Sequence, residues 1–576
     1  SALTANTTGA TNSAFGANAL DANTTGTDNV ALGAYALTSN TTASNNVAIG
    51  RNTLYTNTTG TSNTGVGHKA LRLNSTGNNN TAVGYFALDA NTTGEVNTAV
   101  GNNSLFSNTT ANHNTAIGNS TLYANTTGTQ NTSLGSQSLT NNTTASFNTG
   151  LGYLALHTNT TGSDNTAVGK DSLKLNTTGS QNTAVGEACL DANTTGGNNT
   201  SVGVGALGSN TTASYNTAVG RAALFANTTG SGNNALGSDT LKDNTTGGHN
   251  TAMGADALAN NTTASDNTAF GSSALYINTT GDSNVAVGRQ ALRGNTTGSN
   301  NVAIGMEAGL SNTTGGNNTV LGYGALEKNT TASNNTAVGR DALENNTTGG
   351  ENTAVGTNAN KANTDASNNT SYGYNAMALT TTGGNNTSLG RSALYNNTTG
   401  AINVAVGGDA LAGNTTGANS TAVGVDALKQ NTTGDKNIGI GRNAGNTITT
   451  GSENICIGVD SDTNGATEQN AICIGYNINA NGNVFAFGKA SNKVYNTFTS
   501  NASWTRSSDE RKKTNIADAT LGLDFINDLS TKTFKWKRSQ DIPNTFDDYR
   551  ADANLMDTDV VMHGMIAQDV KAALDT

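Results

Sequence analysis

Small apolar and polar positions alternate along this chain in a pattern that returns every 17 residues. Each repeat holds an A-L pair, a polar N-T-T-G stretch and a short N-T-A-V-G segment, as in residues 84–101. Aligned on the glycine that closes this last segment, 28 glycines from Gly16 to Gly475 follow one another without an insertion. The next spacing, to Gly488, shortens to 13 residues. A fixed period of this kind indicates a solenoid, in which each repeat forms one coil stacked on the next.

The residue types in the repeat favour strands over helices. Asn, Thr and Gly at this density oppose helix formation. The T-A-V and A-L pieces instead predict short strands separated by turns. Equivalent positions of successive coils would stack as parallel rungs about 4.8 Å apart, so that the 28 glycines would span roughly 130 Å. We therefore predict an all-β fold in residues 1–488, a parallel β-solenoid (β-roll) of 17-residue coils.

Substitutions among the repeats indicate what each position requires. The closing glycine never varies, which predicts a positive φ or a close backbone approach. The glycine after N-T-T is often Ala, as at Ala43 and Ala111, so that turn should need no left-handed residue. The Thr of T-A-V is sometimes Val30 or Ile438, which predicts that Thr and Val form the internal face and Ala the opposite face.

The core of such a coil is thin, since each repeat offers about one Leu and one Val for burial. Ordering 17 residues costs about 1–2 kcal/mol each, whereas each buried Leu or Val contributes about 1.5–3 kcal/mol. We expect additional burial against identical chains, in a homotrimer with the small Ala columns near the contact. A long monomeric solenoid is the alternative.

Composition and charge exclude several classes of protein. The chain has 28 Lys+Arg and 39 Asp+Glu, a net charge of −11, which argues against nucleic-acid binding through a basic face. It has no apolar run of about 18 residues, so we expect no membrane insertion. Three cysteines in 576 residues do not form a disulfide framework. Cys456 and Cys473 lie one period apart and should stack on adjacent rungs, either as small buried residues or as a disulfide.

The repeats resemble those of known fibres. The segments 46–50 and 301–305 both read N-V-A-I-G and resemble the S-V-A-I-G head repeats of trimeric autotransporter adhesins. That resemblance implies a trimeric, left-handed parallel β-roll, although the repeat here is longer than in typical heads. The N-T-A-V-G…A-L…N-T-T-G form resembles repeats of phage tail fibres and of bacterial tail-fibre-domain proteins.

The C-terminal residues resemble a second family. Residues 508–516 read S-D-E-R-K-K-T-N-I, similar to the S-D-x-R-x-K opening of the endosialidase-type intramolecular chaperone domain. The segments 523–526, 534–536 and 563–568 follow the same family pattern. The resemblance implies a small α+β domain over 508–576 that helps three chains to trimerise. Residues 489–507 would then be a linker. We expect further protein upstream of Ser1, including an attachment domain, and an incomplete chaperone domain at Thr576.

The same resemblance implies a single self-cleavage between Ser507 and Ser508. Ser508 would be the nucleophile and Lys513 the general base, with Asp509 and Arg511 as supporting residues of the motif. A Ser hydroxyl needs a nearby base, and Lys can act as one if burial or neighbouring cations lower its pKa. The alternative is an inactive chaperone that retains the motif.

Other motifs have less specific interpretations. Asp460, Asp462 and Asn464 match the start of a calcium loop, but Ala471 stands where its Glu is expected, and a polar turn is the alternative. Aromatic residues recur one place after the Leu, as at Tyr55 and Phe106. They predict either exposed rings that stack on sugars or filler in a trimer groove.

The N-T-T column creates many N-x-T sequons. They would form a glycan stripe in an N-glycosylating cell, or simply ladders of Asn and Thr side chains.

Together these features predict a structural and adhesive extracellular fibre, on a virion tail or a bacterial cell surface. Its partners would be two further copies of the chain and a host-surface glycan or receptor, and we expect no cofactor. The alternative is a tailspike-type glycan-degrading enzyme, which would need acids or His gathered in a cleft. The repeats offer only isolated acids such as Asp21, Glu95 and Asp171. We therefore expect no turnover enzyme, and at most a single self-cleavage.

Overall fold

The computed structural model describes residues 1–499, 526, 528–543, 545 and 559–575. The chain divides into two units, Ser1–Ser500 and Asn501–Thr576. Each unit is described by itself below.

The first unit is a stack of short parallel strands, one per repeat. Strands β1–β27 have three residues each. They are Ser13–Phe15, Val30–Leu32, Val47–Ile49, Thr64–Val66, Thr81–Val83, Thr98–Val100, Thr115–Ile117, Thr132–Leu134, Thr149–Leu151, Thr166–Val168, Thr183–Val185, Thr200–Val202, Thr217–Val219, Asn234–Leu236, Thr251–Met253, Thr268–Phe270, Val285–Val287, Val302–Ile304, Thr319–Leu321, Thr336–Val338, Thr353–Val355, Thr370–Tyr372, Thr387–Leu389, Val404–Val406, Thr421–Val423, Ile438–Ile440 and Ile455–Ile457. Each pairs in parallel with the next at an offset of 17 residues, so that Thr98 lies opposite Thr115. The predicted parallel β-solenoid with 17-residue coils is confirmed.

Four backbone positions with positive φ let each coil close. In residues 84–100 these are Gly84 at φ 139°, Phe86 at 55°, Leu88 at 54° and Val96 at 56°. All 28 register glycines have φ between 125° and 142°, a region that only glycine adopts readily. A Cβ added to Gly84 would lie 2.4 Å from the carbonyl oxygen of Gly101 in the next coil. The predicted positive φ and close approach are therefore both present.

The interior of a typical coil is filled by one Leu and two Ala, faced by two Asn. In this coil Ala87, Leu88 and Ala99 are buried at 0% exposure, as are Asn91 and Asn97. The core is thus a column of Leu and Ala on one side and amide ladders on the other.

The solenoid ends in a changed pattern of strands. Strands β28 (Asp462–Thr463) and β30 (Asn479–Ala480) pair with each other, and β29 (Ile472–Tyr476) continues the main stack. Strand β31 (Val484–Lys489) is the last parallel rung, and β32 (Asn492–Thr497) pairs with it antiparallel. Part of the range predicted as a linker, 489–507, is therefore strand.

The second unit has a small amount of regular structure within its described residues. Strands β33 (Lys532–Phe534) and β34 (Met562–Gly564) form an antiparallel pair. A short 3-10 helix covers Ser539–Asp541, and an α-helix covers Ala567–Asp575.

Candidate functional site

A continuous apolar column lies on the outer surface of the solenoid. We use the name apolar column for the 28 residues that each precede a register glycine. They are Phe15, Leu32, Ile49, Val66, Val83, Val100, Ile117, Leu134, Leu151, Val168, Val185, Val202, Val219, Leu236, Met253, Phe270, Val287, Ile304, Leu321, Val338, Val355, Tyr372, Leu389, Val406, Val423, Ile440, Ile457 and Ile474. Leu134 in this column is 47% exposed, whereas Leu88 of the core is at 0%. Monomeric soluble proteins seldom expose contiguous apolar surface of this extent, so the column is a candidate assembly surface.

The position of this column corrects the prediction that Thr and Val face inward. In β6 the Ala99 side chain is buried, while Thr98 and Val100 on either side of it are only half-buried. Ala faces inward because the interior of the coil has room only for a small side chain at this position. At Gly65, which replaces this Ala, an added Cβ would already lie 2.6 Å from Cγ2 of Thr53. The Ala columns are therefore interior, and the prediction that they lie near a contact between chains is wrong.

Two ladders of Asn side chains run through the interior. The Nδ2 of Asn91 donates to Oδ1 of Asn74 at 2.6 Å and to the Gly94 carbonyl at 2.9 Å. In the second ladder, Oδ1 of Asn80 accepts from the backbone N–H of Asn97 at 3.0 Å. The Asn nitrogens of the N-T-T sequons are thus buried and bonded in the fold, which favours ladders over a glycan stripe.

Two of the aromatic residues that follow the Leu, Phe106 and Tyr123, lie against each other on adjacent coils. The rings of Phe106 and Tyr123 are stacked, with centroids 5.0 Å apart and planes 6° from parallel. Phe86 meets Phe106 edge-on at 5.9 Å. One face of both Phe106 and Tyr123 is therefore covered by a neighbouring ring. At this place the rings form a ladder between coils.

A polar cleft of about 210 Å³ lies near the C-terminal end of the solenoid. It brings together Asp460 and Asp462 of the calcium candidate, but Asn464 does not line it and instead donates to Asn481 at 2.6 Å. Burial raises the pKa of Asp462. Its Oδ2 accepts from the N–H and the hydroxyl of Thr447, both at 2.8 Å.

The carboxylate of Asp460 is likewise occupied, because Arg442 donates to its Oδ2 at 3.0 Å. In the part of the chain that the structure describes, no three His, Cys, Asp or Glu side chains gather as a metal site. Asp460 lies in a turn and Asp462 in strand β28, and both carboxylates accept hydrogen bonds from protein donors.

Cys456 and Cys473 are direct partners in the parallel register, as their spacing predicts. Both are buried free thiols, and so is Cys189. A hydrogen bond with Cys473, together with burial, raises the pKa of the Cys456 thiol. The same hydrogen bond lowers the pKa of the Cys473 thiol. Both residues lie in the core as free thiols, which fits small buried residues better than a disulfide.

In the second unit, two of the motifs that carry the chaperone resemblance meet. Phe534 lies opposite Met562 in the β33–β34 pair, and its ring meets Trp536 edge-on at 5.4 Å. A Cβ on Gly564 would lie 3.3 Å from Phe534, so this glycine permits close packing. Trp536 and Met562 nevertheless stay largely exposed. The predicted cleavage residues, Ser507, Ser508, Asp509, Arg511 and Lys513, lie outside the described residues.

None of the described helices is long and apolar enough to span a membrane. Residues 508–576 match the model of the family described as Peptidase_S74, chaperone of endosialidase. No curated protein and no solved structure gives a significant match to the chain.

Proposed function

We propose that this chain is the subunit of a trimeric, surface-exposed fibre, assembled with the help of residues 508–576. A chaperone-of-endosialidase domain attached to a long β-solenoid fits a tail-fibre-like protein. The observation that carries the trimer is the apolar column, which is apolar in all 28 coils although it faces outward. Covering a half-exposed Val or Leu stabilises by about 1 kcal/mol, and the column repeats this gain at every coil.

The assembly is tested by the mass of the full chain in solution. Sedimentation velocity or mass photometry should give three times the chain mass of 58.0 kDa, or that value less three released domains. The double variant Val185→Asp, Val202→Asp places charges in the apolar column and should dissociate or misassemble. The matched control Thr178→Asp, Thr195→Asp changes exposed residues of the same coils and should stay trimeric. A monomeric wild type, or a column variant that assembles normally, would contradict the proposal.

The fibre would act at a cell surface, as part of a phage tail or of a bacterial surface filament, with a glycan or receptor as its target. A glycan array probed with the intact fibre tests this adhesive role. Binding to defined glycans supports it. Failure to bind any array member or whole cells would leave a purely structural fibre.

Self-cleavage would release the chaperone domain once per chain, after trimerisation. The Ser508 hydroxyl would attack the carbonyl of Ser507, with Lys513 as base, and water would then release the fibre from the resulting ester. The family match beginning at residue 508 supports this proposal. The wild type should show a released fragment on a denaturing gel, whereas Ser508→Ala and Lys513→Ala should stay intact yet trimeric. If wild type and Ser508→Ala run identically, the domain is a retained cap.

A further inference from the structure

In the coil of residues 356–372, a polar residue stands at the position where most coils have their core Leu. Asn360 occupies that position, between Leu343 and Met377 of the adjacent coils, and is buried at 0% exposure. Its backbone keeps the left-handed conformation of the equivalent core Leu residues, with φ 50°. The substitution therefore places an amide in the apolar core and leaves the path of the chain unchanged.

Another coil shows how the chain compensates for a missing Leu. Gly309 stands at the Leu position of coil 305–321, and in that coil the interior Ala of the strand is replaced by Val320, which is buried. The larger side chain restores apolar volume to the same space. In coil 356–372 the corresponding residue is Ser371, also buried. This coil thus gains polarity at both interior positions.

Buried polar atoms without partners are concentrated here. Neither Oδ1 nor Nδ2 of Asn360 has a hydrogen-bond partner among the described residues, and the same holds for Oδ1 of Asn358, Oδ1 of Asn363 and Oγ of Ser388. These five atoms are most of the eight such buried side-chain atoms found in the described part of the chain. Buried polar groups are normally paired, so the hydrogen bonding of buried side chains is least complete in coils 356–372 and 373–389.

The first Asn ladder is also broken at this point. Thr380 replaces the ladder Asn in the next coil, so Oδ1 of Asn363 loses the donor that its equivalents have. Nδ2 of Asn397 donates to the Thr380 hydroxyl at 3.3 Å. This bond is longer than the preceding bonds of the ladder, which are 3.0 Å from Asn346 to Asn329 and 2.6 Å from Asn363 to Asn346.

The apolar core is divided at the same coil. One contiguous cluster runs from Ala19 to Ala359 and a second from Met377 to Ala486. The backbone rungs continue across the division, since Thr353 pairs with Thr370 and the N–H of Asn360 donates to the Ala376 carbonyl at 2.8 Å. The discontinuity lies in the side chains alone.

Ion pairs join coil 356–372 to its N-terminal neighbour, coil 339–355. Nζ of Lys361 lies 3.2 Å from Oδ2 of Asp341 and 2.7 Å from Oε2 of Glu344. The following coil, 373–389, contains no Asp, Glu, Lys, Arg or His, so no ion pair can form in that direction.

Across the junction between coils 356–372 and 373–389 the second Asn ladder continues, since the N–H of Asn386 donates to Oδ1 of Asn369 at 2.8 Å, and Nδ2 of Asn358 donates to Oδ1 of Asn375 at 3.0 Å. What this junction lacks is the first Asn ladder, an ion pair and a continuous apolar core.

We propose that the solenoid opens first at the junction between coils 356–372 and 373–389, which we call the seam. The seam divides the solenoid into two blocks that unfold as separate cooperative units. Solenoids are held by nearest-neighbour contacts, so one weak interface uncouples the segments on either side. Local opening at such a site precedes global unfolding.

Hydrogen exchange of the intact chain, read by mass spectrometry on peptides of single coils, tests the seam. Amides of 357–389 should exchange at least about a hundredfold faster than those of coils 322–338 and 390–406, because lost apolar contact and unpaired polar groups act together. Asn360→Leu restores the repeat residue and should remove most of the difference. Thr380→Asn should restore the ladder and remove part of it.

A matched control transfers the defect to another coil. Leu326→Asn should create a second fast-exchanging region at residues 322–355 and leave 390–406 unchanged. Uniform protection along the wild-type solenoid would overturn the seam. So would a wild-type fast region that both Asn360→Leu and Thr380→Asn leave unaltered.

Discussion

Replacing Asn176 by Ala tests whether the interior Asn ladder holds neighbouring coils together. Asn176 is fully buried. Its Nδ2 donates to Oδ1 of Asn159 at 2.8 Å and to the Gly179 carbonyl at 2.9 Å. Its Oδ1 accepts from Nδ2 of Asn193 at 2.8 Å. The substitution removes these three hydrogen bonds, two of which join different coils.

The loss of stability in Asn176→Ala comes from the buried polar groups that lose their hydrogen-bond partner. The Gly179 carbonyl keeps a second donor, Nδ2 of Asn165 at 2.9 Å. The Oδ1 of Asn159 and one amide hydrogen of Asn193 are left unpaired in the interior. Each such buried group costs about 1–3 kcal/mol, so the coils should lose about 2–6 kcal/mol of local stability. Since about 1.4 kcal/mol is a factor of ten, opening should become at least about thirtyfold more frequent.

Native-state hydrogen exchange on peptides of 159–193 measures this change. The matched control is Thr178→Ala, an exposed residue whose change should stay within about 0.5 kcal/mol. Thr178 also completes the sequon of Asn176, so the control removes any glycan signal and leaves the ladder intact. If both variants exchange alike, in bacterial and in N-glycosylating hosts, the ladder does not carry the stability assigned to it.

Two further predictions concern single positions. Gly203→Ala should cost at least about 1–3 kcal/mol, because its φ of 129° is strained for any side chain and an added Cβ would lie 2.5 Å from the Gly220 carbonyl oxygen. Gly77→Ala, at a position where Ala43 and Ala111 already lie between coils that carry glycine, should cost less, and equal thermal shifts would contradict this reasoning. Burial raises the pKa of Asp191 above its ordinary 3.8, which penalises the charged form in the folded state. Asp191→Asn should therefore stabilise at pH 7, and its advantage should shrink as the pH falls through the raised folded pKa and vanish below 3.8, as thermal melts at several pH values would check.

The repeat made the fold predictable, because 28 equally spaced glycines leave only one register. The orientation of the strands was not predicted correctly. The apolar residues Val30 and Ile438 at the Thr position suggest that this position is buried. An apolar surface that faces outward allows the same substitutions. The pairing of Gly309 with Val320 in one coil was the available signal, since only residues that share interior space compensate for each other.

The candidate sites were less accessible to sequence reasoning. The seam at Asn360 depends on which column is interior and on which amides remain unpaired, and neither follows from composition or period. Of the calcium candidate, Asp460 and Asp462 line one cleft, whereas the side chain of Asn464 pairs with the next rung. The proposed nucleophile Ser508 stays a prediction, since it lies outside the described residues.

The energetics of a single coil explain why both stacking and assembly matter. Every core Leu sits in a left-handed conformation, as Leu88 does at φ 54°, which costs roughly 1–2 kcal/mol. Burying that Leu stabilises by about 1.5–3 kcal/mol, so the margin of a coil is small. Asn360 keeps the strained backbone and loses the apolar gain. Covering the apolar column would add about 1 kcal/mol per coil, an amount comparable with this margin. Burial between chains would therefore change the stability of each coil by as much as its own core does.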